Sequence, residues 1–441
     1  MALFMDAMRV GLLGCGNVGS AVARVLHEHA QDIARRAGVR IEVARVAVRD
    51  LSRHRDAPIS ADLFTGDPFD VVRDSNIDVI VEVIGGTDPA GALVLEALSL
   101  GKPVVTANKE LMATRAGELF DAARRGGADL LYEAAVGGGI PIIRPLRESL
   151  AGDRILRFMG IVNGTTNYIL TRMTEGGMTM TAALEEAQRL GFAERDPSAD
   201  LEGYDAAAKA AILATIAFDL PVVAADVYRE GISGVGADDI AFARRLGYVV
   251  KLLAIAEAQD GDVSVRVHPA MIPKEHPLAS VRESFNAVFI EGERVGPLML
   301  YGRGAGGDPT ATSVAGDLVE LARNRAAGMG TSVIGHAAHR PDELATTGRR
   351  VTPMGELHSQ YYILMRVADR PGVLAAIATA FARHLVSIKS VWQEGRKAEA
   401  QIVLITHRAP ERALRGCVEE LRSIEAVTEV SSVIRVEAGE P

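Results

Sequence analysis

Between Ala193 and Lys209 the chain reads AERDPSADLEGYDAAAK, which gathers the carboxylates of Glu194, Asp196, Asp200, Glu202 and Asp205 around one arginine and closes on a lysine. Carboxylates at this density have two uses. They suit a solvated turn at Asp196-Pro197 that starts a helix, or an anionic site for a small cationic substrate. Asp205 and Lys209 stand four apart, so a helix from about Gly203 to Thr215 puts them on one face. As a surface pair they would contribute roughly 0.2–0.5 kcal/mol, whereas in a pocket they would offer a carboxylate beside a proton donor. These residues alone leave both readings open. A second lysine, Lys109 in KPVVTANKEL, and the glycine cluster GLLGCGNVGS have spacings that suit work on an anionic ligand.

The elements that must position these groups follow from the apolar patterning. A short strand, Arg9 to Leu13, runs into Gly14-Cys15-Gly16-Asn17-Val18-Gly19, and helix-period apolar residues continue from Ala21 to Leu26. In that order Gly14 permits a tight turn, Gly16 admits a pyrophosphate to the backbone, and Gly19 allows close helix packing, with the phosphate charge on the helix N-terminus by Asn17 and Val18. A second strand, Ile41 to Val48, ends where an adenosine ribose would lie. Arg49, supported by Arg53, favours the extra phosphate of NADP(H), while Asp50 argues for NAD(H). The apolar run Ile77 to Ile84 reads as a parallel strand buried on both faces. A helix near Pro89 to Leu100 and a strand ending at Thr106 come next. Ligands of open α/β sheets sit at the carboxyl ends of the strands, so Gly85, Gly86, Thr106 and Lys109 are expected to rim the nicotinamide. The loop from Tyr301 to Thr310 opens another helix, to about Arg325.

Composition narrows the class. The chain has 441 residues, 48% hydrophobic and 24% charged, with a net charge of −9 and no basic block, so it reads as globular with no nucleic-acid partner. The N-terminus lacks the pattern of a secretory signal and no apolar run is long enough to span a bilayer, which points to a cytoplasmic protein with no membrane partner. The two cysteines, Cys15 and Cys417, fit a reducing compartment, and neither is placed to be the nucleophile of a phosphorylating semialdehyde dehydrogenase. His268 and His276 lie near prolines and read as loop residues without catalytic duty, and no spacing suggests zinc.

GLLGCGNVGS, VIGG, TANK, YEAAVGGGIPII, NGTTNYIL and GFAERDPSADLEGYDAAAK together resemble homoserine dehydrogenase over about Arg9 to Gly348. The resemblance implies interconversion of L-homoserine and L-aspartate 4-semialdehyde with NADP(H) or NAD(H), in threonine, methionine and isoleucine biosynthesis. It implies that Glu194 binds the substrate's amino end, that Asp205 bonds substrate or a bridging water, that Lys209 handles the hydroxyl proton, and that Lys109 sits at nicotinamide and substrate. It also implies a structural monovalent cation, sodium, at Glu133, Val136, Gly138 and Ile140, and a glycine near the nicotinamide, Gly306 or else Gly304. The expected α/β organisation is a Rossmann-type domain at 1–135, completed by a returning segment at about 305–345, and an α+β dimerisation and catalytic domain with a mixed sheet at 136–304.

After a linker at 346–355 the pattern restarts as strand, helix, strand, strand, helix, strand over 356–437, a ferredoxin-like βαββαβ order. With its turn Asp369-Arg370-Pro371-Gly372-Val373-Leu374 it resembles an ACT domain. That resemblance implies an amino-acid effector, L-threonine, near Asp369, Gly372, Val373 and Leu374, and a homodimer or homotetramer. Removing everything after about Gly355 is then expected to leave activity and abolish threonine inhibition. The readings from other classes are a catalytically idle amino-acid sensor on the same folds, and another hydroxy-amino-acid dehydrogenase.

Overall fold

The computed structural model describes residues 7–328, 349–396 and 399–437. The expected returning segment beyond 328 and the linker residues 346–348 lie outside the described residues. Two compact units organise the rest: one holds 7–158, 208–227, 286–328 and 349–350, the other 159–207, 228–285, 351–396 and 399–437.

The first unit carries six parallel strands, β1 (Met8–Leu13), β2 (Ile41–Ala47), β3 (Phe64–Thr65), β4 (Val79–Glu82), β5 (Val104–Thr106) and β6 (Leu130–Leu131), in the order β3-β2-β1-β4-β5-β6. This is a doubly wound Rossmann-type sheet, with its ligand crevice at the crossing between β1 and β4. Val10, Leu12, Ile80 and Val81 have no exposed surface, which explains their uninterrupted apolar pattern. β4 is shorter than the expected run to Ile84. It stops at Glu82 because the N–H groups of Ile84 and Gly85 turn back onto the Glu82 carboxylate instead of a neighbouring strand. Helix Gly307–Ala326 packs on helix Asn17–Glu28, sharing one core in which Ala21, Val22 and Leu26 meet Ala311, Val314 and Leu318. Burying each such Leu or Val contributes roughly 1.5–3 kcal/mol. Strands β11 (Phe285–Gly292) and β12 (Gly296–Arg303) lie side by side and lead back to that helix.

Strand β7 (Ile155–Ile161) passes into the second unit, where Asn163 caps helix Gly164–Gly176. The mixed sheet of this unit is built on a long antiparallel hairpin, β9 (Tyr248–Gln259) and β10 (Asp262–Pro273), with the two-residue β8 (Tyr228–Arg229) parallel to β10. His268 lies within β10, paired with Leu253 and fully buried, which corrects the expectation of a loop. The prolines that suggested a loop are a strand end, Pro273, and a strand residue, Pro269, tolerated inside the ladder. His276 does lie in a turn, where its Nδ1 accepts the N–H of Leu278.

The C-terminal segment has the expected βαββαβ order: β14 (Tyr361–Ala368), helix Val373–Arg383, β15 (Ile388–Arg396), β16 (Glu399–Thr406), helix Glu411–Ser423 and β18 (Val427–Val436), paired as β18-β14-β16-β15. A small ladder of β13 (His358–Ser359) with β17 (Ala409–Pro410), absent from the sequence reading, brackets it. β18 also runs parallel to β10 at Ala270 and Met271, and the Glu437 N–H donates to the Met271 carbonyl. The end of the linker is tied down too, since the Thr352 N–H donates to the Val263 carbonyl. Cutting after Gly355 would therefore strip β10 of a neighbour, and point substitutions test the effector better than truncation.

Candidate active site

The glycine loop has the geometry its spacing predicts. Gly14 is in the left-handed region at φ +99, and a side chain at Gly19 would collide with the Gly14 carbonyl oxygen, so helix Asn17–Glu28 starts directly against the turn. Beside Gly16, by contrast, the space is open, as approach of a phosphate requires. Asn17 is the first residue of the helix and Val18 the second. Asn17 also borders Gly307, so the starts of two helices meet at this loop, with Gly306 at φ +116 capping the second. Arg49 is exposed at the end of β2, and Asp50 is occupied by the Ser52 N–H and hydroxyl, whose bonds hold its carboxyl below the usual range.

At the ends of β4 and β5 the sequence reading missed the organising residue. Glu82 has no exposed surface. Its Oε1 accepts the N–H groups of Ile84 and Gly85, at 2.8 and 3.1 Å, and its Oε2 accepts the Thr106 hydroxyl at 2.6 Å. Thr106 Oγ1 in turn accepts the Asn108 N–H, and Asn108 donates to the Gly86 carbonyl while capping helix Lys109–Gly126 through Leu111. The Thr106 side chain is thus spent inside the protein, and it shapes the Gly85-Gly86 turn from behind. Lys109 is half-buried at the first position of that helix. A cation there opposes the helix dipole, an arrangement that favours an anionic ligand nearby. A lone acid in an otherwise apolar strand was the available signal for Glu82; its partners were not readable.

The loop after β6 is closed by charge. The Glu133 carboxylate accepts three backbone donors: Oε1 accepts the N–H groups of Ile142 and Ile143 and Oε2 that of Arg144, at 2.6, 2.9 and 2.7 Å. Three donors thus already occupy this side chain, and a cation would find further oxygens beside it. What could hold one is the set of backbone carbonyls at Glu133, Val136, Gly138 and Ile140, hard oxygen donors that suit a monovalent ion. The Gly138 carbonyl already accepts the Ser313 hydroxyl at 2.6 Å and keeps a second lone pair, so the donor set fits. Among the described residues no cluster of acidic, histidine or cysteine side chains forms a metal site.

In the second unit the acidic stretch resolves into different jobs. Asp196 accepts the N–H and hydroxyl of Ser198, an exposed turn in which those bonds lower its pKa. Glu194 is exposed, on a loop held by Gln188 through the Glu194 carbonyl. Asp200 and Asp205 both accept from Asn163 Nδ2, at 2.7 and 2.8 Å, and Asp205 is only 8% exposed. The helix on which it lies, Tyr204–Phe218, begins within a residue of the expected start, and one turn onward, where the helix already counts to the first unit, Lys209 is 9% exposed. A buried carboxylate and a buried lysine on one helix face are costly to keep unless they serve each other or a ligand. The solvated-turn reading suits the exposed Glu194, Asp196 and Glu202, and fails for the buried Asp205. In the C-terminal segment, Gly372 caps helix Val373–Arg383 at φ +91, Asp369 and Leu374 are exposed, and Val373 is buried.

Comparison with known proteins identifies the family. The family model for the homoserine dehydrogenase NAD-binding domain matches residues 14–133, that for homoserine dehydrogenase matches 141–319, and that for the ACT domain matches 361–426. The homoserine dehydrogenase of Mycobacterium tuberculosis is 49% identical over 439 residues, 97% of each chain. Among solved structures, a homoserine dehydrogenase from Thiobacillus denitrificans superposes with a TM-score of 0.91 at 42% identity, covering 99% of both chains. A hyperthermophilic archaeal homoserine dehydrogenase in complex with NADPH is 30% identical, with a TM-score of 0.61 over 71% of this chain and 97% of that one. With its glycine loop, its buried Asp205 and Lys209, and an ACT domain at its C-terminus, the chain belongs to the homoserine dehydrogenase family.

Proposed function

We propose that this oxidoreductase interconverts L-homoserine and L-aspartate 4-semialdehyde with NADP(H) in preference to NAD(H), within threonine, methionine and isoleucine biosynthesis. The observation that carries the proposal is the burial of Asp205 and Lys209 one turn apart on helix Tyr204–Phe218, where a solvated pair would be exposed. When bound, the nicotinamide gives or takes the hydride. Lys209 supplies the proton as the aldehyde oxygen becomes a hydroxyl, and its positive charge stabilises the developing alkoxide. Asp205 orients that end of the substrate, Glu194 takes its ammonium, and Lys109 faces nicotinamide and substrate from the start of its own helix. Gly14, Gly16, Asn17, Val18 and Gly19 seat the pyrophosphate, Gly85, Thr106 and Gly306 border the nicotinamide, and Arg49 meets the ribose phosphate.

The working division is cofactor binding at 1–135 with the return from about 305, catalysis and dimerisation at 136–304, and regulation at 356–437. The carbonyls after Glu133 hold sodium as a structural ion. L-threonine acts as effector at Asp369, Gly372, Val373 and Leu374, in a homodimer or homotetramer. Initial rates of NADPH and NADH consumption with L-aspartate 4-semialdehyde test the core of the reading: fast turnover with NADPH and slower with NADH is expected, a preference that Arg49→Ala should erase. Folded protein that consumes neither cofactor would refute the activity.

A further inference from the structure

The segment NGTTNYIL is left without a role by the reaction itself, and its contacts within the second unit give it one. Asn163 ends the turn after β7. Its Oδ1 accepts the Thr166 N–H at 2.9 Å and lies 3.0 Å from Thr166 Oγ1, which fixes the orientation of the amide. Nδ2 must then face the acidic stretch, and it donates to Asp200 Oδ1 at 2.7 Å and to Asp205 Oδ2 at 2.8 Å. Two residues further on, Thr165 Oγ1 donates to the Phe192 carbonyl at 2.6 Å, and the Tyr168 ring meets the Phe192 ring with centroids 5.0 Å apart. One helical turn therefore grips both ends of the stretch 192–205.

The choice of an amide matters. Two carboxylates brought to one nitrogen repel each other, and a lysine or arginine in that place would pair with them and cancel their charge. A neutral N–H donor holds both while leaving them anionic. We infer that Asn163 is a positioning residue of the homoserine dehydrogenase reaction, setting Asp200 and Asp205 towards the substrate, and that Thr165 holds the loop that presents Glu194. This rests on the reading of 193–209 as the substrate-binding stretch. The competing explanation is a helix cap and nothing more.

Full-length Asn163→Ser separates the two, because serine keeps a cap acceptor but is too short to donate to Asp200 and Asp205. Asn163→Asp keeps the cap and the shape and replaces the donor by a third anion, and it decides the matter if the serine variant does not fold. Positioning predicts that KM for L-aspartate 4-semialdehyde rises by at least about tenfold, the usual weight of hydrogen bonds to charged groups. KM for NADPH and the melting temperature of Asn163→Ser should stay near wild type, and Thr165→Val should show a smaller rise of the same kind. An unchanged semialdehyde KM in folded variants would overturn the inference, as would losses that fall equally on both substrates or that follow melting temperature. A wild-type enzyme that fails to turn over the semialdehyde would instead sink the proposed function, and this inference with it.

Discussion

Lys209 carries the sharpest test at the scale of single residues. If it supplies the proton, Lys209→Ala lowers kcat by ~10²-fold or more while NADPH affinity measured by titration stays normal; an unchanged kcat would remove it from the chemistry. The candidates most legible in the sequence were those whose type states their chemistry: lysines, carboxylates, and glycines at pyrophosphate spacing. Glu82, Asn108 and Asn163 were not legible, because their importance lies in what they hold. A side-chain amide can cap a helix, bridge two acids or do both, and only its neighbours in space say which. The five carboxylates of 193–209 make the same point. Asp196 serves a local turn with Ser198, two residues away, while Asp200 and Asp205 serve Asn163, across the fold.

Among the elements, β10 offers a pH test. His268 is fully buried in it, and burial, aided by the positive Arg435 and Arg266 and opposed by Glu437, holds its pKa down at about 4. An unfolded histidine titrates near 6.5, so between those values the unfolded chain binds a proton that the folded chain refuses. Stability is therefore lost as pH falls through this window, by about 3 kcal/mol when the window is fully crossed. Urea unfolding from neutral to mildly acidic pH should show a slope that His268→Gln reduces; an identical slope in both proteins would show that other groups set it. The ends of the elements were read least well. β4 ended early because a carboxylate captured its backbone donors, and β10 continued through Pro269, since strand pairing over the whole hairpin outweighs one missing N–H.

At the scale of the second unit, the C-terminal segment is joined to the segment around β8 by buried charge. Arg435 on β18 bonds Glu411 through Nε at 2.7 Å and Nη2 at 3.1 Å, and reaches Glu230, beyond β8, at 2.9 Å. Glu411 has no exposed surface and also accepts the Tyr361 hydroxyl. Removing one partner of such a pair leaves the other buried and uncompensated, so Arg435→Met should cost about 3–5 kcal/mol. Chemical denaturation measures this directly, and a loss below about 1 kcal/mol would mean that the joint is solvated and worth only what a surface pair is. The contact runs onward: the Ile232 N–H donates to the Leu201 carbonyl and the Ser233 hydroxyl to Glu202, within the acidic stretch.

By itself the sequence determined the main strands and helices of the N-terminal third, the glycine loop and the C-terminal βαββαβ order, because these depend on spacing along the chain and on the periodicity of apolar residues, while its resemblance to a family singled out the lysines. Which carboxylates are buried, which side chain holds them, where a strand stops, and that β18 completes a sheet begun by β9 and β10 were decided only by the tertiary structure. Those outcomes rest on pairings between residues far apart along the chain, as for Glu230 and Arg435, and local patterns carry no record of the partner.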